Sequence, residues 1–503
     1  MNKKIPVVIG AAQFTQSKDL KKRLDPLGLM EKTANMAIED TESSKIREMI
    51  DSIFMSNIVS WTYSDAPGKL GKRLNLDLKE KHYMPIGGNT PQYMLNKAAE
   101  SIENGEIQGA LLVGGEANYS TYKAKKGKYE LDWPKREKPS YVDETQPLGF
   151  NHLIKRYNLL TFPTGYALFE TALRAAQGLS IQGYKNQIGE LFAEFSSVAA
   201  KNPHAWSQKN YTKEDIITPG PKNRLISHPY TKRMVSNLYV DMSAAVLITS
   251  ADIASQLHIP SDKWVYPMGG ANLMNVKYML QKPKLYTSPA IKYASQLALK
   301  QAGLSLNDIH AFDLYSCFPC MVQIARREIG IPKEDPRPLT LTGGLPYFGG
   351  PFNNYSMHGI VEAINYVRDN PEKKALVHAN GGYNTKQSIG IYGSKPGKKA
   401  WNDKTEGEEK QTLIDKTALP KPIKKANGIY EIKGYTIIYN RDGTPKKGLI
   451  VAEKTTSNQR TYAFVKPKAL TLNKFVTEEH VGKHCKLKFD ENKSANYCIE
   501  LDY

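Results

Sequence analysis

Two thiols three residues apart, Cys317 and Cys320, are the densest concentration of reactive side chains in this chain of 503 residues. As C-x-x-C with Pro319 between them, they read as a redox pair if they open a helix after the first strand of a thioredoxin unit. They read as half of a zinc site if a second C-x-x-C completes the tetrahedron. Neither condition is met: the pair lies beyond residue 310, and the other two cysteines, Cys485 and Cys498, stand far apart from each other. No metal site is expected. Cys317, at a strand end between Ser316 and Phe318, is either a reactive thiol or a small buried apolar group, and residue type leaves both open. The glycine strings VGGEA, MGGAN, TGGLPYFGGP and ANGGYN could present backbone amides to a phosphate, yet none has Walker or Rossmann spacing. They fit tight turns or close backbone approach where strands end.

The elements that would hold these residues occur twice and in the same order. Pro26 to Ser56 carries Leu27, Met30, Ala34, Ala37 and Ile38 at helical spacing, then an acidic connection and the apolar run Ile53, Phe54, Met55. Pro289 to Phe318 repeats it with Ile291, Ala294, Ala298 and Ala302, a Gly303 stop, and a run through Ile309, Phe312 and Leu314. A second matched pair is a helix leading into a strand that ends in glycines: Met94 to Gly115 with ALLVGG, and Ile360 to Gly382 with ALVHANGG. The paired strands lie 58 residues apart in the first copy (Ile53 to Leu111) and 64 in the second (Phe312 to Leu376). Continuous apolar strands flanked by amphipathic helices predict sheets covered on both faces, hence a duplicated α/β architecture.

The expected organisation is a first half over 1–255 with an inserted, folded segment at about 117–223, and a second half over 256–392. A lysine-rich linker over 393–428 and a small β-barrel over 429–503 follow. The barrel rests on five β-type runs beginning at Tyr435, Leu449, Thr461, Cys485 and Tyr497, with a turn at Asn440 to Gly443. Four cysteines exclude a disulfide scaffold, the start lacks the apolar core of a secretory signal, and no window approaches a membrane span; a reduced, cytoplasmic protein is expected. A formal charge of +19 favours acidic partners, namely nucleic acid, a membrane surface or a phosphorylated ligand, unless the lysines simply solvate the surface.

With its loop domain inserted in the first copy, this duplicated half resembles the thiolase superfamily. NGEIQGALLVGGEANYS is similar to the segment after the nucleophile helix. DLYSCFP occupies the place of the asparagine or histidine motif, and GGLPYFGGP that of the glycine-histidine-proline loop. YTIIYNRDGTPKKGLIVAEK is similar to the additional C-terminal domain of thiolase-like proteins of type 1, so the resemblance covers nearly the whole chain. It implies the layered αβαβα thiolase fold with an OB-like C-terminal barrel. It also implies that the nucleophilic cysteine position is Gly88, the loop histidine position Gly350 and the second cysteine position Ala379, so that three of four catalytic loops lack their reactive side chain. Tyr315, Ser316, Cys317 and Phe318 stand where the sterol-carrier type has histidine, aspartate, cysteine and phenylalanine, which makes Cys317 the surviving acid/base candidate.

The resemblance therefore implies an acyltransferase-like protein of lipid metabolism that binds coenzyme A thioesters but lacks normal thiolysis, with no tightly bound cofactor, as a monomer or homodimer. Gly88, Asn89, Gly350, Ala379 and Gly381 would line the pantetheine tunnel, although the same glycines also suit plain turns. Lys222, Arg224, Lys232 and Arg233 would meet the nucleotide phosphates, although exposed cations also serve solvation. The alternative chemistry implied is a retro-aldol cleavage in which Tyr315, with Tyr355 or Tyr347, supplies the general base, and His358, the nearest histidine to the glycine loop, joins Cys317, Tyr315 and Tyr355 as a catalytic candidate. A third reading uses the barrel as a partner- or nucleic-acid-binding module, with Tyr462 and Phe464 as the stacking platform.

Overall fold

The structure, a computed structural model, describes residues 4–18, 22–139, 141–143, 148–401, 405–465 and 472–501. The first half contributes β1 (Pro6–Thr15), β2 (Ser52–Met55), β3 (Glu80–Tyr83) and β4 (Gly109–Ala117), then a short hairpin β5 (Leu225–Ser227) and β6 (Tyr230–Thr231), and β7 (Asp241–Ser250). The second half contributes β8 (Tyr266–Met274), β9 (Ala311–Leu314), β10 (Ala375–Gly381) and β11 (Lys386–Gly393). The tail contributes β12 (Gly428–Tyr439), β13 (Pro445–Lys454), β14 (Gln459–Val465), β15 (His484–Asp490) and β16 (Ala495–Leu501).

The duplication is visible in strand order. The first sheet runs β1-β7-β4-β2-β3 and the second β8-β11-β10-β9, so β1, β7, β4 and β2 correspond to β8, β11, β10 and β9. Directions agree: β2 is parallel to β4 as β9 is to β10, and the remaining two contacts of each set are antiparallel. The strands read as equivalent from the sequence pair directly, with Ile53 opposite Leu111 and Phe312 opposite Leu376.

Local signals set the helices. Asp25 caps the helix Pro26–Asp40 by accepting from the Gly28 amide, with Pro26 pre-set in its first turn. Gly105 and Gly303 end the helices Thr90–Asn104 and Pro289–Ala302 in the left-handed region, at φ 75° and 71°. The helices Thr90–Asn104 and Tyr355–Asp369 lie between the two sheets. Their residues Met94, Leu95, Ala98, Ile360 and Ile364 share one core with Leu112, Val246 and Val377. This central layer points the helix beginnings, and the loops before them, at the strand ends of both halves.

Two features differ from the sequence reading. Thr405–Asp415, inside the expected linker, is a helix held to the second half by Lys300 with Glu406 and by Gln411 with the Met274 backbone. It escapes periodicity because only Ile414 is buried. The barrel, closed in the order β12-β13-β14-β16-β15 and back to β12, is also not free-standing: the hairpin β5–β6 of the first half extends its sheet through Ile438 opposite Ser227. Tyr462 and Phe464 are buried against Tyr157, with ring centroids 5.5 and 5.0 Å away, so they are core and not a base-stacking platform. Arg460, 4 % exposed, donates to the Lys282 and Pro283 carbonyls at 2.6 and 2.8 Å and pins the barrel to the second half.

Candidate functional site

Four segments converge at the strand ends: Ile86 to Asn89 before the helix Thr90–Asn104, Tyr315 to Phe318 after β9, the β10–β11 turn, and the glycine loop from Gly343 to Pro351. Tyr315 crosses this centre. A Cβ on Gly88 would stand 2.0 Å from the Tyr315 hydroxyl and 2.7 Å from the Asn380 carbonyl, so the phenol occupies the place where any side chain of residue 88 would begin. The Tyr315 ring meets Tyr355 edge-on at 5.5 Å. The Tyr355 hydroxyl is hydrogen-bonded with Thr342 at 2.7 Å, and Ser356 donates to the Gly88 carbonyl. Burial raises both phenols well above the ordinary tyrosine value, so both are proton donors and not bases.

The turn after β10 is held by a network that sequence reasoning missed. The Tyr166 hydroxyl donates to the Gly382 carbonyl at 2.5 Å and receives the Asn380 side-chain amide at 2.9 Å and the Asn384 backbone amide at 3.1 Å. Gln387 donates to the side-chain oxygens of Asn380 and Asn384, at 2.9 Å each, and accepts from His378. The Tyr315 amide donates to the other nitrogen of His378, so the ring is a neutral tautomer, and burial pushes its pKa down to about 4.

Cys317 and Cys320 are free and buried. Burial pushes both thiols up, which favours the neutral S–H form. Cys320 lies in the first turn of the helix Pro319–Ile329, and its amide donates to the fully buried Glu170, which also accepts from the Tyr184 and Tyr230 hydroxyls. Among the described residues no group of three or more His, Cys, Asp or Glu side chains could hold a metal ion.

The remaining expected residues divide. Asn89 and Gly381 lie at the centre, and a Cβ on Gly381 would meet the Asn89 side-chain oxygen at 2.4 Å. That oxygen is buried without a hydrogen-bond partner. Ala379 is a buried residue of β10 opposite Ser388. Gly350 donates its amide to the Asn237 carbonyl and has no neighbour closer than 3.4 Å to a would-be Cβ, so this glycine is not dictated by close approach. His358 bonds Gln13 of β1 at 2.9 Å and packs on Phe348, and no hydrogen bond or ring contact joins it to Tyr315. Tyr347 packs on Phe192 and Tyr211.

Of the four cations, Lys222 and Arg233 line a cleft of about 530 Å³ that also contains Glu214 and Asp215. Arg233 lies over the Tyr211 ring and donates to the Asp215 carbonyl, Arg224 donates to the Leu225 carbonyl, and Lys232 is exposed. Their segment continues into Ser236, which bonds the Cys317 carbonyl, and into Asn237 beside Gly350.

The second missed residue is Lys386. It stands opposite Gly381 in the β10–β11 ladder, two positions from the Ala379–Ser388 pair, so Lys386 and Ala379 share one face. It is 1 % exposed, and its amine donates to the Ile86 carbonyl at 2.6 Å. A Cβ on Gly87 would lie 2.6 Å from that nitrogen. Burial pushes its pKa down to about 8. A lysine inside a strand buried on both faces was the available signal.

A family model for the additional C-terminal domain of thiolase-like protein type 1 matches residues 409–492. A monomeric SCP2-thiolase-like protein type 1 from Mycobacterium smegmatis is 32% identical, with a TM-score of 0.85 over 99% of this chain and 100% of that one. The Ltp2-ChsH2(DUF35) aldolase shares the fold at 18% identity and TM-score 0.58, covering 77% of this chain and 97% of its own. Human mitochondrial 3-ketoacyl-CoA thiolase in complex with CoA shares it at 16% and 0.56, covering 78% and 98%. No curated protein matches the chain.

Proposed function

Because the chain belongs to the SCP2-thiolase-like protein type 1 family, we propose that it binds a coenzyme A thioester at the strand ends around Tyr315 and does so without forming an acyl-enzyme. One observation carries the second clause: the Tyr315 hydroxyl fills the origin of any side chain at residue 88, so the nucleophile position is physically taken as well as chemically empty. Two further features support ligand binding. Gly350, with no neighbour closer than 3.4 Å to a would-be Cβ, leaves backbone bare where a narrow pantetheine arm would pass. The segment bearing Lys222, Arg224, Lys232 and Arg233 runs directly into the residues that touch Cys317 and Gly350, which suits it to the nucleotide phosphates.

Calorimetric titration with acetyl-CoA and a longer acyl-CoA, with dephospho-CoA as control, tests binding. Intact-mass measurement after incubation tests acylation, and thiolysis of acetoacetyl-CoA tests turnover. Binding that weakens with salt, no covalent acyl group and no thiolysis are expected. Absence of heat at millimolar ligand, or an acyl adduct on Cys317, overturns the reading. A retro-aldol reaction at the same centre would employ Tyr315 as proton donor to the enolate left on the thioester fragment, since burial keeps the phenol protonated, while a separate base takes the hydroxyl proton of the fragment that departs as a carbonyl.

A further inference from the structure

The residues around Gly88 leave a chemical gap. Tyr315 and Tyr355 are phenols held protonated, Cys317 is a protonated thiol and His378 spends both ring nitrogens on Tyr315 and Gln387. None of them is a base for a carbon acid. Lys386 is different in kind. Its amine is buried beside Gly87, and among the described residues no carboxylate stands within ion-pairing distance; desolvation alone accounts for its lowered basicity. One of its hydrogens goes to the Ile86 carbonyl, and the adjacent Asn89 oxygen is an unused acceptor. Lys386 also lies on the ladder face that bears Ala379, with Gly381 opposite it providing the room for its stem.

We propose that the ε-amine of Lys386 removes the proton α to the carbonyl of the bound thioester. This rests on the coenzyme A reading above and deepens it by naming the acid/base group. The step is balanced: the C–H bond breaks, its proton forms an N–H bond on the neutral amine, and the electron pair moves onto the thioester oxygen as an enolate. Reversal returns a proton to carbon. In heavy water the ammonium exchanges with solvent, so reversal delivers deuterium, and no oxidant or second substrate is consumed.

The groups facing the amine set its pH response. Strand β10 presents Ala379 and Gly381, β8 presents Met274 opposite Lys386, and Ile86 to Asn89 present no ionisable side chain. Tyr315 lies across Gly88 and titrates far above the working range, while His378 is on the opposite face of β10. The base form therefore grows as pH rises through about 8.

Deuterium incorporation into the acetyl group of acetyl-CoA, followed by mass spectrometry alongside calorimetric binding, is the test. Wild type is expected to exchange, with a rate that climbs through about pH 8 and then levels. Lys386→Met is expected to bind acetyl-CoA and to lose exchange by at least about 100-fold, the usual scale of a general base. Lys386→Arg, permanently protonated, is expected not to rescue it. Trace acetylation of wild type with acetic anhydride gives a second readout that needs no variant: Lys386 labelling is expected to be slowed by bound acetyl-CoA. Binding without exchange, exchange surviving in Lys386→Met, or Lys386 unprotected by bound ligand overturns the proposal and leaves the binding reading intact. Absence of binding in wild type removes both.

Discussion

Restoring the missing nucleophile by Gly88→Cys should fail for a steric reason before a chemical one. The new Cβ would sit 2.0 Å from the Tyr315 hydroxyl, 2.6 Å from its Cζ and 2.7 Å from the Asn380 carbonyl. Overpacking of this kind costs about 1–3 kcal/mol; with a backbone carbonyl and a buried ring as the obstacles, the upper end, about 3 kcal/mol, is expected. Tyr315→Ala alone removes a ring from the core and should cost about 3–5 kcal/mol, the scale of aromatic truncation. In the double variant the cysteine occupies space the phenol has left, so the total should fall short of the sum by about 2 kcal/mol, a size typical of residues in direct contact. Urea unfolding of the two single variants and the double in one buffer measures this coupling. A Gly88→Cys cost below about 0.5 kcal/mol, the range of an unconstrained surface position, or strict additivity, would show that Tyr315 does not occupy the side-chain position of residue 88.

Three further outcomes follow from buried groups. Glu116 accepts from the Val59 and Ser60 amides, and burial raises it to about 7, so the stability it confers is full below the unfolded value near 4.5 and is lost as pH rises towards 7; Glu116→Gln should flatten about 3 kcal/mol of that pH dependence in unfolding titrations. His378, lowered to about 4, acts in the opposite sense: its stability is present above the unfolded value of 6.5 and is lost as pH falls, so His378→Gln should reduce the loss between pH 6.5 and 4 by about 3 kcal/mol. Arg460→Ala leaves the Lys282 and Pro283 carbonyls without this donor and Glu453 with Lys433 as its remaining ion-pair partner, and should cost about 3 kcal/mol and open the 416–427 connection to limited proteolysis.

The fold was legible because its signals are local and repeated: helix spacing, glycine stops and apolar strand runs recur in order, and the strand residues paired by inspection prove to be partners in register. All five tail strands likewise announce themselves through their β-branched and aromatic runs. The site was less legible because its assembly is long-range. Tyr315 could be named from its motif, but that its hydroxyl fills the Gly88 position follows from strand ends brought together from the two halves. His358 was attractive for its closeness in sequence to the glycine loop; helix geometry turns it towards Gln13 of β1 while Tyr355, one turn earlier, meets Tyr315. Lys386 and Tyr166 carry no motif, and only burial and hydrogen bonding reveal them.

The pairing of β5 with β12 of the barrel sets an order on biosynthesis. Thr436 donates to the carbonyl of His228, which precedes it by 208 residues, and the His228 amide donates to Ile437. At about 5–20 residues per second, that partner leaves the ribosome some 10–40 s after His228 does. Throughout that interval Tyr157, Thr171 and Arg174, which the finished protein buries beneath the barrel, are without their partners Asn496, Tyr435 and Glu479. The nascent first half thus carries that surface uncovered until the barrel strands are made, and a chain cut short before residue 428 keeps it exposed.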